Sequence, residues 1–515
     1  MNLVRTASQA QTIAYREWLS ARWTAPAILT GLTALSLVLR TRILGAGFWI
    51  DEGISVGVAH HHWSSIPHVL RHDGSPPAYY MLLGLWIRVF GDGERATHVL
   101  SLVFALACIP LAYAAGRAVF DRTTGLVCAI LIALDPYLTY YAQETRMYTM
   151  AAFLSLLVAW AYVEGILRGS RAWCVGLALS LAALLYTHNW GLFVCAGLAV
   201  TTAIVARDRW RPALLTGLGV VVLYTPWLAT VVFQIHHTGA PWSTSPNLHD
   251  LVLAPGQVLS GDGPFMAFAL VGGTGLAALL RRRTDEQRTV VLAFAVGAEA
   301  TIFLAWIASQ ISPAWTGRYF AVLLGTLVLL GARGLVAAGR LGLIALVAVI
   351  FIWGGYSAHP DKENARQIAA VLKPHVHPGE LVISTHPEQV PVLRYYFGPG
   401  LRWATTLGPV RDDQVFDWVD AVPRLRATAP APTLERLLRT VRPGHEFIVV
   451  TPIFRDYRAW DAKWTKLVWQ KATLWTHLLQ TDPRLELVQH VSTNEIALHL
   501  NYFKPLQAFV YRRLG

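Results

Sequence analysis

The chain has 515 residues, 54% of them hydrophobic and only 14% charged. Soluble domains average about 25% charged residues, so the composition excludes an ordinary soluble protein and points to lipid as solvent for much of the chain. The formal net charge of +12 is what a membrane protein with basic cytoplasmic loops carries, and it gives no reason to expect nucleic-acid binding.

Residues 1–22 are polar, with Arg5, Arg16 and Arg22, and read as a short interfacial helix. The apolar run that follows, from Trp23 to Leu44, is longer than the core of a cleaved leader and reads as a first span. Further spans are expected over 97–117, 123–141, 147–167, 172–189, 190–206, 212–233, 264–280, 289–309, 317–336 and 341–357, each near the ~20 residues that cross a bilayer. That makes about eleven. With the N-terminus in the cytoplasm, every inner loop carries arginine: Arg117 and Arg122; Arg168 and Arg171; Arg207, Arg209 and Arg211; Arg281, Arg282, Arg283 and Arg288; Arg333 and Arg340. The outer loop 234–263 has none, while Arg40 and Arg42, near the outer end of the first span, run against the pattern. The odd count places everything after Tyr356 outside.

The fold class expected is therefore a polytopic α-helical membrane protein with a C-terminal extracytoplasmic α/β domain. Residues 1–357 form the membrane domain, with two long outer segments at 45–96 and 234–263, and residues 358–515 form the tail. Within the first outer segment, Pro77–Phe90 is too short to cross and is expected to lie at the interface or to re-enter. All lysines (Lys362, Lys373, Lys463, Lys466, Lys471 and Lys504) lie in the tail. An arginine-only, Ala/Leu/Val-rich membrane region suggests a GC-rich bacterial genome, and so a bacterial plasma membrane. Cys108, Cys128, Cys174 and Cys195 all sit in apolar runs, which leaves the exported tail without disulfides and makes these thiols small core residues.

The tail reads as a small three-layer α/β domain. Helices are expected over Asn364–Lys373, Gln389–Phe397 and Arg455–Leu479, and strands over Leu381–Thr385, Phe447–Thr451, Leu485–His490 and Glu495–Asn501. No glycine-rich nucleotide loop appears in it.

Ionisable residues at membrane depth are costly and therefore candidates for function. Here they gather on the outer side: Asp51 and Glu52 after the first span; His72 and Asp73 before Ser75-Pro76-Pro77; Gln143, Glu144, Arg146 and Tyr148 between the third and fourth spans; His188 at the end of the fifth; Arg318 and Tyr319 opening the tenth. Bland readings stand beside each: hydrated loop acids, headgroup-anchoring arginines, and an interfacial belt for Tyr137, Tyr140, Tyr141 and Tyr148. His60-His61-His62 with His68 and His72 read first as a wet histidine-rich loop, and the helical spacing of the last pair fixes no metal site by itself.

Four segments resemble one family. Phe48-Trp49-Ile50-Asp51-Glu52, Asp73-Gly74-Ser75-Pro76-Pro77-Ala78-Tyr79-Tyr80, Gln143-Glu144-Thr145-Arg146-Met147-Tyr148 and Ser312-Pro313-Ala314-Trp315-Thr316-Gly317-Arg318-Tyr319 look like the GT-C membrane glycosyltransferases, on the branch of the protein O-mannosyltransferases and the lipid A aminoarabinose transferase. The resemblance covers about residues 26–360. It implies a polyprenyl-phosphate sugar donor, transfer outside the cytoplasm to a glycan, lipid or protein acceptor, and inversion. It puts the base or acceptor-positioning role on Asp51, with Glu52 as neighbour, and phosphate binding on Arg146 and Arg318. Donor contacts are also expected from Tyr148, Tyr319, Glu144, His188 and Asp73. The histidine-rich first loop departs from the family pattern and leaves a divalent metal open.

The chemistry agrees: an acceptor hydroxyl needs a base, and a departing lipid phosphate needs positive charge rather than an acid. Two other classes compete. A transporter or lipid flippase would place charges at the midplane and show broken-helix repeats. A membrane-anchored binding or assembly protein would leave Asp51, Arg146 and Arg318 without a task. Sugar, acceptor and oligomeric state are not legible in the sequence.

Overall fold

In lipid a backbone must satisfy its own hydrogen bonds, so each long apolar run is expected to be a helix. The structure, a computed structural model, describes residues 24–281, 286–356, 362–454, 461–491 and 505–514. The interfacial helix expected over residues 1–22, the strand expected over Glu495–Asn501, and Arg282, Arg283 and Lys504 lie outside the described residues.

All eleven expected spans fall on helices. Thr24–Leu39 (α1) is followed by Ile50–His60 (α2), Ile66–Asp73 (α3) and Ala78–Phe90 (α4). Next come Glu94–Val119 (α5), Arg122–Leu134 (α6), Pro136–Tyr141 (α7), Tyr148–Tyr162 (α8), Arg171–Thr187 (α9), Gly191–Val205 (α10) and Trp210–His237 (α11). Leu248–Val252 (α12), Asp262–Ala267 (α13), Gly273–Leu280 (α14), Glu286–Ile311 (α15), Leu324–Ala337 (α16) and Arg340–Gly354 (α17) complete the bundle. Among the described residues, six helical stretches are long and apolar enough to cross a membrane, and six shorter apolar helices accompany them, α4 among the latter. The chain is a multi-pass membrane protein.

Two expectations change. The run 123–141 is broken at Asp135, which caps α7 by accepting from Tyr137 N at 3.0 Å, with Pro136 at the first helical position. Arg40 is not an outer-loop charge at all: it is fully buried and donates to the carbonyls of Ala105 and Ile132, on α5 and α6. Small residues let these helices meet, as where Gly116 of α5 abuts Gly125 and Cys128 of α6. Cys108 and Cys128 are buried and Cys174 and Cys195 partly so, all four free.

The tail is a six-stranded mixed sheet between helical layers. Its strands are Leu381–Ser384 (β1), Arg402–Thr405 (β2), Gly408–Pro409 (β3), Glu446–Pro452 (β4), Leu485–Val491 (β5) and Leu506–Arg513 (β6), in the order β3-β2-β1-β4-β6-β5. β1 runs parallel to β2 and β4, with Ile383 beside Ala404 and Val449; β6 runs antiparallel to β4 and β5. Because side chains alternate along a strand, the sheet has two apolar faces. Val382, Ile448, Val450 and Val510 pack on Ala365–Leu372 (α18) and Val390–Phe397 (α19). Ile383, Phe447, Val449 and Phe509 pack on the opposite layer, which includes Pro430–Leu438 (α21, after Ala421–Ala427, α20) and Lys463–Thr481 (α22). Of the last expected helix, residues 455–460 lie outside the described residues and the rest is Lys463–Thr481; β2, β3, β6, α20 and α21 were not anticipated.

The sheet domain is seated on α2. Phe48 and Val56 belong to the same apolar cluster as α18, α19 and β1. Gly53 faces Val392 and Gly57 faces the Gln414 carbonyl so closely that a Cβ at either position would overlap its neighbour.

Candidate active site

The four motifs end at one place, the end of the bundle that carries the sheet domain. α2 begins at Ile50, so Asp51 and Glu52 occupy its first turn and point about 100° apart around the helix. That divergence gives the two acids different surroundings.

Asp51 faces a cavity of about 640 Å³. Its carboxylate lies 3.8 Å from Arg146 and 3.5 Å from Arg318. Arg146 is fixed by hydrogen bonds to Ser55 Oγ at 3.0 Å, Tyr80 Oη at 3.1 Å and the Asp51 carbonyl at 3.3 Å. Arg318 sits in the 3₁₀ turn Gly317–Leu323, whose position is set by Tyr137 Oη donating to the Arg318 carbonyl at 2.7 Å. Its guanidinium lies 5.6 Å from the Trp49 ring centre and 5.8 Å from that of Tyr319, and Arg146 lies 5.7 Å from Tyr148. Electron-rich faces hold the cations where the carboxylate alone would not. Two guanidiniums share one carboxylate, and the buried Nε of each has no hydrogen-bond partner among the described residues. The arrangement carries a surplus of positive charge and donor capacity for an incoming anion.

Asp73, His188, Tyr148 and Tyr319 also line this cavity. Gly74, with φ of 96°, ends α3 in the left-handed conformation and turns the chain back so that Asp73 and Ser75 both face inward. Burial pushes the Asp73 carboxyl up, against the pull of its hydrogen bond to Ser75 and of Arg146. His188 caps α9 and packs between Tyr148 and Tyr319, with ring centres 6.0 and 4.9 Å away. Tyr148, in the cavity wall, and Tyr137, which holds the Arg318 carbonyl, are buried rather than arrayed in an interfacial belt. Sheet-domain residues Glu388, Trp418 and Thr465 form part of the wall.

Glu52 and Glu144 are elsewhere. Glu52 is wholly buried behind the cavity and accepts from His98 Nε2 at 2.7 Å, Thr145 N at 2.8 Å and Lys362 Nζ at 2.9 Å to each oxygen. Burial opposes its charge, but Lys362 and His98 outweigh that and hold the carboxyl below the usual range. Glu144 meets Lys362 only at 3.9 Å, and burial pushes it up to about 7. Sequence reasoning missed Lys362, His98, Tyr80 and Ser55. One signal was present: Lys362 is the first lysine in the chain and follows the last span directly.

Three of the first loop's five histidines turn to carboxylates. His60 meets Asp92 at 3.2 Å, His61 meets Asp412 at 2.9 Å and His72 meets Asp417 at 3.4 Å. Among the described residues no three His, Cys, Asp or Glu side chains cluster to hold a metal ion.

A cavity that sets an acid against two arginines, walled in part by an α/β domain, can be compared with known proteins. Residues 74–233 match the family described as dolichyl-phosphate-mannose-protein mannosyltransferase. An undecaprenyl phosphate-α-4-amino-4-deoxy-L-arabinose arabinosyl transferase of Pseudomonas aeruginosa is 29% identical over 182 residues, 33% of this chain and 33% of that protein. The chain thus spans about a third of the length of the curated relatives it matches. In fold it is similar to ArnT from Cupriavidus metallidurans bound to undecaprenyl phosphate, with TM-score 0.61 at 14% identity over 95% of this chain and 98% of that one. It is also similar to the oligosaccharyltransferase AglB from Archaeoglobus fulgidus, in complex with an inhibitory peptide and a dolichol-phosphate, with TM-score 0.53 at 12% identity over 84% of this chain and 70% of that one. The likenesses in sequence and fold are to GT-C membrane glycosyltransferases, the same family that the four motifs resemble.

Proposed function

We propose that the protein is a glycosyltransferase that moves a sugar from a polyprenyl-phosphate donor to an acceptor hydroxyl on the outer side of a bacterial plasma membrane. In this reading the N-terminus is cytoplasmic and the sheet domain (358–515) extracytoplasmic. The observation that carries it is Asp51 between Arg146 and Arg318 in the cavity wall. The donor phosphate takes the surplus positive charge of the two guanidiniums while the isoprenoid chain stays in the bilayer. The acceptor hydroxyl gives its proton to Asp51, and its oxygen forms a bond to the anomeric carbon. The bond from that carbon to the phosphate oxygen breaks, and the electron pair leaves on the phosphate, where the arginines neutralise it. A single displacement inverts the anomeric centre. Relatives that act on undecaprenyl-phosphate-linked aminoarabinose and dolichyl-phosphate-linked mannose support these two donor classes as the first to try.

The test is turnover of radiolabelled polyprenyl-phosphate sugars with membrane acceptors by the parent and by Asp51→Asn. The expected result is transfer or slow donor hydrolysis by the parent and a loss of about 10²- to 10⁴-fold in the folded variant. Equal turnover by parent and variant removes Asp51 from the role of base.

A further inference from the structure

The acid next to Asp51 never reaches the cavity, yet it is the more heavily bonded of the two. Glu52 is contacted from three directions: His98 on α5, the Thr145 amide in the loop before α8, and Lys362 from the tail. Lys362 is itself buried and spends its remaining donor on the Gln143 carbonyl at 2.8 Å. The loop Gln143–Met147 is therefore gripped twice, at the carbonyl of Gln143 and at the amide of Thr145. The residue that follows Thr145 is Arg146, whose guanidinium meets Asp51.

A buried ammonium and carboxylate are expensive to desolvate, and an apolar pair of similar size would generally stabilise a protein as well or better. Their retention calls for a geometric reason. The helix offers one, because Glu52 is joined to Asp51 through the first turn of α2 while its carboxylate holds the peptide that delivers Arg146. A shift of Glu52 moves both partners of the Asp51–Arg146 contact.

We infer that Lys362 is a positioning residue supplied by the tail, which acts through Glu52 and the Gln143 carbonyl to set the distance between Asp51 and Arg146. The inference rests on the proposed transfer reaction for its kinetic readout. It makes the sheet domain part of the catalytic apparatus, since this lysine fits its socket only when the tail is seated on α2. The Glu52 carboxyl agrees with this: Lys362 and His98 hold it below the usual range despite its burial.

The experiment uses the full chain with Lys362→Met, Glu52→Gln and the double variant Lys362→Met/Glu52→Leu, each measured for thermal stability, for undecaprenyl phosphate binding and for donor turnover. Both single variants should lose about 10- to 100-fold in turnover, the usual cost of misplacing a reacting contact by about an ångström. The double variant, with no stranded charge, should regain thermal stability without regaining turnover. Were the pair only a structural tie, turnover would return with stability, and that result overturns the proposal. Binding of undecaprenyl phosphate needs no turnover, so it separates the two readings. Weaker binding by Lys362→Met than by the parent supports the lysine's role even if no sugar donor is ever turned over. Binding equal to the parent's overturns that role whatever becomes of the transfer reaction.

Discussion

Asp51 and Glu52 are neighbours in one helical turn, and the two sides of that turn are built on opposite plans. On the cavity side, one carboxylate faces two guanidiniums at 3.5 and 3.8 Å, distances too long for tight ion pairs, with an unpartnered Nε on each arginine. On the buried side, one carboxylate receives two donors at 2.7 and 2.8 Å and an ammonium at 2.9 Å. Slack, charge-unbalanced contacts leave room for a ligand to complete them; tight, balanced contacts leave none. In the proposed reaction this difference separates groups that work on a substrate from groups that hold those groups in place, although both are acids in the same motif.

The comparison is broken most severely on the cavity side. After Asp51→Asn, the next largest effect is expected from Arg318→Met. Removing one preorganised donor from a site where charge develops typically costs about 2.7–4 kcal/mol of transition-state stabilisation, or about 10²- to 10³-fold in turnover. Among the described residues Arg318 has no tight partner, so its loss strands no other group there and the melting temperature should barely move. A large fall in stability with unchanged turnover would place Arg318 on the structural side.

Much of this was legible in the sequence, for a physical reason. Lipid forces apolar runs to be helices, so the eleven apolar runs could be read as helical, six of the stretches long enough to cross a membrane. Polar groups at membrane depth are too costly to be incidental, so seven of the nine proposed site residues do line the cavity. Glu52 and Glu144 do not, because a sequence does not say which way two adjacent acids on a helix point. Lys362 lies 310 residues from Glu52, and no local pattern announces such a pair. Tyr137 and Tyr148 were read as part of a belt because an interfacial ring and a buried one look alike until a neighbour such as the Arg318 carbonyl, which accepts from Tyr137, is known. In the tail, β1, β4 and β5 were found from their apolar runs. The four-residue β2 and two-residue β3 are too short to show a period, and β6 lies beyond the last strand expected.

A milder perturbation probes how the tail bears on both sides at once. Gly57 of α2 lies against the Gln414 carbonyl with no room for a Cβ. Gly57→Ala should therefore push the segment 411–420 away from α2, at a cost of about 1–3 kcal/mol of stability. Trp418, in that segment, forms cavity wall, and Trp418 N donates to the His72 carbonyl at 2.9 Å. Turnover should fall by more than the folded fraction does, as measured by activity normalised to the population that resists proteolysis. Loss in strict proportion to unfolding would mean that α2 keeps its aim without the tail.

The smallest effect is expected at the rim of the same seam, where His61 meets Asp412 at 2.9 Å and His72 and His237 meet Asp417 and Asp420 at 3.4 and 3.3 Å. The hydrogen bond to Asp412 raises His61 above its ordinary 6.5, and the hydrogen bond from His61 lowers Asp412 below its ordinary 3.8. The sign follows for each partner. The histidine's contribution is complete below pH 6.5 and is lost as pH rises through its raised value. The aspartate's contribution is complete above pH 3.8 and is lost as pH falls through its lowered value. The pair therefore supports docking most fully between those limits and fades on the alkaline side. The Asp412 side chain is 45% exposed and that of His61 18%, so solvent screening limits the worth of the pair to no more than about 1 kcal/mol. Thermal melts of the parent and Asp412→Asn should differ more at pH 5.5 than at pH 8.5, and the gap should narrow in high salt. A gap that widened at pH 8.5 would mean that the neutral imidazole makes the contact, and the rim would then resemble the charge-neutral parts of the seam rather than a weaker copy of the Glu52 site.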